Sequence, residues 1–369
     1  MSRQSDRSHP LWGADLATLG RIAAECGPLQ HGARGRFYGA FAAALGRLPF
    51  SLAEAAYTAM RRPAVESRAE APVFILGHWR SGTTHLYNVL SKSPHFAYVS
   101  PFATALPHDF LLLGRMLAPM LKKKLPAHRY IDNIPVEPDS PQEDEIALAN
   151  MTPLSFYHAL YFPGRFEHFF ARGLFFDGVD AAGIMAWQRM LKRYYAKLMI
   201  AQPGRRLLIK NPVYTARPEM LRAMWPDAKF IHIHRNPAKV FLSMRNFWQA
   251  LFRQFALADW SKVDIDAVIL ATYERMMAAY VRETEGWPED RLIELSFDEF
   301  QRDPMACVER IHERLDIAGY AESEPCYRRY LESVSGYRKN SYERADEAGA
   351  IIGERWRPFI ERWGYDRAA

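Results

Sequence analysis

Hydrophobic and polar positions change their rhythm at Pro72. Up to about residue 70 the apolar positions recur at helical spacing and close on Arg61-Arg62-Pro63 and a polar Glu66-Ser67-Arg68 connector, which predicts an N-terminal helical extension over residues 1–70. The most apolar part, Phe37 to Met60, is interrupted by Arg47, Pro49 and Glu54. A membrane span needs ~20 mostly apolar residues without such breaks, so the pattern predicts a pair of amphipathic helices packed on a core. After Pro72 the wholly apolar Val73-Phe74-Ile75-Leu76 reads as a strand buried on both faces of a parallel sheet. Leu207-Leu208-Ile209, Phe230-Ile231-His232-Ile233-His234 and Leu292-Ile293-Glu294-Leu295 have the same character, with helical patterns at Arg217–Met224 and Val263–Arg282. Strands alternating with helices predict an α/β fold with a doubly wound, mostly parallel central sheet. Residues from about 110 to 205 read as helical and rich in aromatics, among them Phe156, Tyr157, Tyr161, Phe162, Phe166, Phe169 and Phe170. These suit either an insertion that forms a ligand pocket or ordinary core packing.

The run after the first strand, Gly77-His78-Trp79-Arg80-Ser81-Gly82-Thr83-Thr84, leads into a helical pattern with Leu86, Val89 and Leu90 on one side. A strand that turns through glycine into a helix presents free N–H groups and the positive end of the helix dipole to an anion. Gly77 permits a tight turn and Gly82 a close backbone approach, while Ser81, Thr83 and Thr84 add hydroxyls and Arg80 a two-pronged guanidinium. The magnesium-dependent phosphate loop needs Gly-Lys-Ser/Thr at this place, and Arg80-Ser81-Gly82-Thr83-Thr84 departs from it. A second candidate anchor closes the third apolar run: Arg235 sits where open α/β sheets bind ligands, and Ser243 follows about two helical turns later. A guanidinium and a hydroxyl together make a clamp for a phosphate monoester.

Composition narrows the field further. The 369 residues are 49% hydrophobic and 24% charged, the balance of an ordinary soluble globular protein. A formal net charge of +6 suits an anionic ligand but is too scattered for nucleic acid. The three cysteines, Cys26, Cys307 and Cys326, argue against a disulfide framework or zinc cluster and point to a reducing, cytoplasmic compartment. The polar N-terminus resembles no secretory signal.

Gly77-x-x-Arg80-Ser81-Gly82-Thr83-Thr84 resembles the 5′-phosphosulfate loop of sulfotransferases, in the form shared by tyrosylprotein sulfotransferases and many bacterial members. The stretch Phe230 to Ser243 resembles their second anchor, in which an Arg and a Ser at this spacing bind the 3′-phosphate of the donor. Leu295–Pro304 is similar to the strand-to-helix segment that follows, and Tyr337-Arg338-Lys339-Asn340 to a late basic motif, without its glycine. The resemblance covers residues 72 to about 340. It implies a P-loop NTPase-like three-layer α/β domain over 71–369, with an acceptor-side helical insertion at about 110–205. It further implies 3′-phosphoadenosine 5′-phosphosulfate as donor, no metal, and a small-molecule, lipid or carbohydrate acceptor. Donor contacts fall on Gly77, Arg80, Ser81, Gly82, Thr83, Thr84, Arg235, Ser243, Arg338 and Lys339. The alternatives are a P-loop kinase using a nucleoside triphosphate with magnesium, and an inactive nucleotide-binding homologue.

Sulfuryl transfer asks for a base on the acceptor and cations around the developing charge. Lys210, at the end of its strand and before Asn211-Pro212, is the cationic candidate; it is similar to the Lys of Lys-Asp-Pro in tyrosylprotein sulfotransferases. The base is less sharply marked, because Asn211-Pro212 stands where cytosolic members carry a His and Pro101-Phe102-Ala103-Thr104 has no carboxylate. Pro141-Gln142-Glu143-Asp144-Glu145 resembles a bacterial segment that offers Glu143 or Glu145, though acids at a helix start also simply match the dipole. His108 is the third candidate. Leu111 to Leu125, ending in Lys122-Lys123-Lys124, has the composition of a segment at a lipid surface.

Overall fold

Strand β1, Val73–Leu76, is buried at every residue and lies at the centre of a five-stranded sheet. The other strands are β2 (Phe96–Ala97), β3 (Arg206–Lys210), β4 (Lys229–His234) and β5 (Leu292–Ser296), in the spatial order β2-β3-β1-β4-β5. All pairings are parallel: Val73 faces Leu208 on one side and Lys229 on the other, and His232 faces Glu294. The structure, a computed structural model, describes residues 9–114, 116–117, 140–335 and 346–365. The apolar runs thus form the buried strands that their patterns predict, β2 being the one strand those patterns did not mark. The connections from β1 run to one side of the sheet and then cross to β4 on the other, so the chain reverses beside the C-terminal end of β1. Such a switch point opens a crevice at the strand ends.

The chain divides into two compact units. The second, Glu70–Ala97 with Arg205–Trp248 and Asp264–Ala369, contains the whole sheet and the helices that cover it, including Thr83–Leu90, Pro218–Met224 and Ile265–Thr284. The first, Met1–Ala69 with Tyr98–Gly204 and Gln249–Val263, is helical. Its aromatics Phe156, Tyr157, Tyr161, Phe162, Phe166, Phe169 and Phe170 are all buried. They form a ladder of ring contacts, tilted in Phe162–Phe169 at 5.8 Å and stacked in Phe166–Phe170 at 5.0 Å.

One expectation about the first unit is corrected. Phe37 to Met60 belongs to a single helix, Arg34–Glu66, of 33 residues, not to a helical pair. The two charges that interrupt the pattern are turned inward and paired. Arg47 Nη1 donates to Asp109 Oδ1 at 2.9 Å, and its Nη2 donates to the Trp12 and Ala14 carbonyls at 2.8 Å. Glu54 Oε1 lies 2.6 Å from Lys197 Nζ, on the neighbouring helix Ala181–Ala201. Burial works against both charges of this pair, pushing the Glu54 carboxyl up and the Lys197 ammonium down, and the mutual attraction opposes both shifts. Pro49 stays inside the helix at the cost of one backbone hydrogen bond. Among the described residues no helix is long and apolar enough to cross a membrane.

Candidate active site

The turn after β1 is held by close packing that only its own residues allow. Gly77 has φ +141°, and a Cβ there would meet the Ile233 carbonyl oxygen at 2.4 Å and Ser81 Oγ at 2.8 Å. Its N–H donates to Thr215 Oγ1 at 2.8 Å, which ties the turn to the segment after β3. Arg80 takes the left-handed conformation with φ +69°, a strain of about 1–3 kcal/mol for a residue with a Cβ. Gly82, at φ +101°, caps the helix Thr83–Leu90, and a Cβ on it would fall 2.1 Å from the Phe297 ring. The turn therefore bends at three successive left-handed points and feeds directly into a helix N-terminus.

Cationic and hydroxyl groups of the second unit converge on this turn. Arg80 Nε donates to Ser243 Oγ at 2.8 Å, joining the first anchor to the helix Pro237–Phe255. Arg235, just past β4, donates from Nη1 to the Arg80 carbonyl at 3.3 Å, and its guanidinium lies 4.8 Å from the Phe297 ring centre. Lys210 ends β3, is only 2% exposed, and donates from Nζ to Thr84 Oγ1 at 3.3 Å. Its charge also lies 5.9 Å from the Tyr87 ring. Just beyond it, the Asn211 side chain accepts from Val213 N–H at 3.1 Å and starts a short 3-10 turn. Ser81 is 1% exposed, yet its Oγ has no hydrogen-bond partner among the described residues. A buried hydroxyl left in that state costs about 1–3 kcal/mol. His78, in the same turn, is held neutral: burial pushes its pKa down to about 4.

The structure thus gathers Gly77, Arg80, Ser81, Gly82, Thr83, Thr84, Lys210, Arg235 and Ser243 from three strand ends. Arg338 and Lys339 lie outside the described residues, as does most of the Leu111–Leu125 segment. The three candidate bases belong to the first unit. Glu145 opens the helix Glu145–Met151, is buried, and accepts from Ser155 Oγ at 2.7 Å. The adjacent Asp144 accepts from the Tyr195 hydroxyl at 2.8 Å. Glu143 stands before the helix and is half-buried. His108 donates through Nε2 to the Asn150 carbonyl at 3.0 Å, and burial lowers its pKa to about 4. Sequence reasoning did not single out Thr215 or Phe297, which anchor the turn from below and from the side. Phe297 does fall inside the Leu295–Pro304 segment noted for its family resemblance, whereas nothing in the local pattern marks Thr215. Among the described residues no group of three His, Cys, Asp or Glu side chains is placed to hold a metal ion.

A family model described as the sulfotransferase family matches residues 72–322. The chain belongs to the sulfotransferase family. It is 30% identical over 310 residues, 83% of its length and 78% of theirs, to proteins of Mycobacterium bovis and Mycobacterium tuberculosis named omega-hydroxy-beta-dihydromenaquinone-9 sulfotransferase Stf3. In fold it is similar to sulfotransferase STF9 of Mycobacterium avium, with a TM-score of 0.75 at 20% identity over 97% of this chain and 93% of that one. Sulfotransferase STF1 of Mycobacterium tuberculosis matches with a TM-score of 0.65 at 18% identity, over 92% and 90% of the two chains. The protein is therefore an enzyme of the sulfotransferase class, whose donor is 3′-phosphoadenosine 5′-phosphosulfate. This sets aside both the kinase and the inactive-homologue alternatives.

The expected fold class is corrected at one point. The sheet is mostly parallel and the class is α/β, but the fold is of sulfotransferase type and not P-loop NTPase-like, since the solved structures it resembles are sulfotransferases. The physical departure lies in the turn itself. Arg80 occupies a left-handed position and threonine follows Gly82, where a nucleotide-hydrolysing loop places lysine. The likenesses establish the family without singling out tyrosylprotein sulfotransferases.

Proposed function

We propose that this sulfotransferase transfers a sulfuryl group to a hydroxyl on a large apolar acceptor, with its donor cradled by the turn Gly77–Thr84. The observation that carries the reading is the buried, unpartnered Ser81 Oγ in a turn that Arg80, Arg235 and Lys210 border. The residues fit the donor: two glycines leave room that a Cβ would fill, and the hydroxyls and guanidinium groups match phosphate oxygens. Gly77, Arg80, Ser81, Gly82, Thr83 and Thr84 take the 5′ end. Arg235 and Ser243 take the 3′-phosphate, with Arg338 and Lys339 assigned to the same group from sequence. The donor, when bound, supplies the sulfuryl group. Lys210 places a buried positive charge beside Thr84, where it stabilises negative charge that builds as the group leaves. Glu143 is assigned the role of acceptor base from sequence. Its neighbours Asp144 and Glu145 each already accept a hydroxyl hydrogen bond from their own unit.

The acceptor class draws support from the relatives, which are named for an omega-hydroxy group on an apolar menaquinone derivative. The test pairs the donor with three acceptors: a long-chain terminal alcohol, its methyl ether and a tyrosine-containing peptide. Sulfation of the alcohol alone supports the reading. Preferred sulfation of the peptide, or equal product from alcohol and ether, overturns it.

A further inference from the structure

The helix Arg34–Glu66 reverses the usual arrangement of a surface helix. A helix on the outside of a protein ordinarily turns apolar residues inward and charges outward. Between Phe37 and Met60 the only two charged residues are Arg47 and Glu54; Glu54 is buried and Arg47 half-buried, and both are paired within their own unit, with Lys197 and Asp109. The opposite face carries Tyr38, Leu45, Leu52 and Met60, exposed by 62%, 62%, 62% and 75%, with Ala42, Pro49, Ala53 and Ala56 between them. At 100° per residue these positions fall on one stripe along more than six turns. Leu48, Phe50 and Tyr57 widen it. An uninterrupted apolar stripe of this length far exceeds the scattered exposed side chains of an ordinary surface.

We propose that this face docks the protein, lying flat, on an anionic lipid surface. The helix does not span a bilayer. Interfacial helices bury an apolar face to the depth of the headgroup boundary and gain further from flanking cations. Both ends carry an exposed arginine, Arg34 at one and Arg61 at the other, while Arg36 and Arg62 are half-buried. Glu66, at the end of the helix, is bonded to Arg62 at 2.8 Å. That charge pattern decides the occupant. A second copy of the helix, parallel or antiparallel, would bring basic ends against basic ends, whereas an anionic lipid surface complements both at once. Tyr38 and Tyr57, near the two ends, have the mixed character that favours the headgroup layer. The inference rests on this helix alone and is independent of the acceptor reading.

The experiment is flotation of the full chain with vesicles of phosphatidylcholine and phosphatidylglycerol in equal parts, and with phosphatidylcholine alone. The wild type floats with the mixed vesicles. Leu45→Gln/Leu52→Gln/Met60→Gln, which keeps good helix formers at exposed positions, lowers the bound fraction about tenfold or more. Arg34→Gln/Arg61→Gln lowers it about fivefold per arginine on the mixed vesicles and little on the neutral ones. Unchanged melting and unchanged binding of adenosine 3′,5′-bisphosphate show that the fold is intact. Should the triple variant melt early, Leu45→Gln and Leu52→Gln taken singly give graded losses that serve the same purpose. Three results overturn the proposal: a wild type that stays at the bottom of the gradient, a triple variant that floats like it, or a wild-type dimer in sedimentation equilibrium that the triple variant converts to monomer. The last would assign the face to a second copy.

Discussion

The turn after β1 and the acidic segment Gln142–Glu145 were both marked by sequence as chemistry-bearing, and they differ in how their polar groups are used. In the acidic segment, Asp144 and Glu145 are buried and accept hydroxyl hydrogen bonds from Tyr195 and Ser155. In the turn, Ser81 is as deeply buried but its Oγ has no hydrogen-bond partner among the described residues, and the backbone is bent through three left-handed residues. Arg80 is held in a left-handed conformation that costs about 1–3 kcal/mol, and backbone strain of this kind clusters at ligand sites. Acids satisfied by their own unit show no such cost. The comparison teaches that residue type brings both segments into consideration, while the strained backbone at Arg80 sets the turn apart from the helix start.

The sharpest break of that comparison is at Lys210. Lys210→Ala should lower kcat about 10²–10³-fold with a much smaller change in donor affinity, because the charge is needed as the group leaves. Loss of affinity with normal turnover would move Lys210 into the binding set. The acidic segment is tested next, at two positions with different expected readouts. Glu143→Gln should cost about 10²-fold in turnover with melting unchanged, as a general base requires. Glu145→Ala should instead lower stability by about 1–3 kcal/mol, since Ser155 Oγ loses the acceptor it reaches at 2.7 Å. Near-normal turnover of Glu143→Gln would return the search to Glu145 and His108.

A smaller effect probes how far buried polar groups of the first unit are satisfied. His9 accepts from Leu11 N–H through Nδ1 at 3.2 Å and donates from Nε2 to the Phe255 carbonyl at 3.0 Å, so both nitrogens are used in the neutral form. Burial lowers its pKa to about 4, below the unfolded value near 6.5. Below pH 6.5 the unfolded chain therefore takes up a proton that the native state refuses. The contribution of His9 is fully present above about pH 6.5 and declines toward pH 4, at up to about 1.4 kcal/mol per pH unit. Denaturant titrations from pH 7 to pH 5 should show this slope, reduced by about one proton in His9→Gln. An unchanged slope in the variant would show that His9 is not the group responsible.

Much of the candidate site is legible in sequence, because its parts are local. Val73–Leu76 is wholly apolar, glycines stand at the bends, and Lys210 and Arg235 each follow directly on an apolar run. What escaped depends on contacts between distant residues. Thr215 accepts the Gly77 N–H from 138 positions away, and Phe297 fills the space that forces Gly82 to lack a side chain. Strand β2, two residues long, is too short to show a period. The pattern divides Phe37 to Met60 in two because Arg47, Pro49 and Glu54 read as breaks, yet Pro49 is accommodated inside one helix and the partners Asp109 and Lys197 show the two charges facing inward. The P-loop NTPase-like assignment follows from the family resemblance, and the solved structures that the chain resembles replace it with a sulfotransferase-type fold.

The central claim is that the turn and the Arg235–Ser243 pair together recognise a nucleotide phosphorylated at both ends of its ribose. Calorimetric titration without magnesium tests it most directly, comparing adenosine 3′,5′-bisphosphate with adenosine 5′-monophosphate on the wild type and on Arg235→Ala. The account predicts a clear preference of the wild type for the bisphosphate, and a loss of about 1.5–3 kcal/mol of that preference in the variant. Equal affinity of the wild type for the two ligands, or tighter binding of ATP with magnesium, would contradict it.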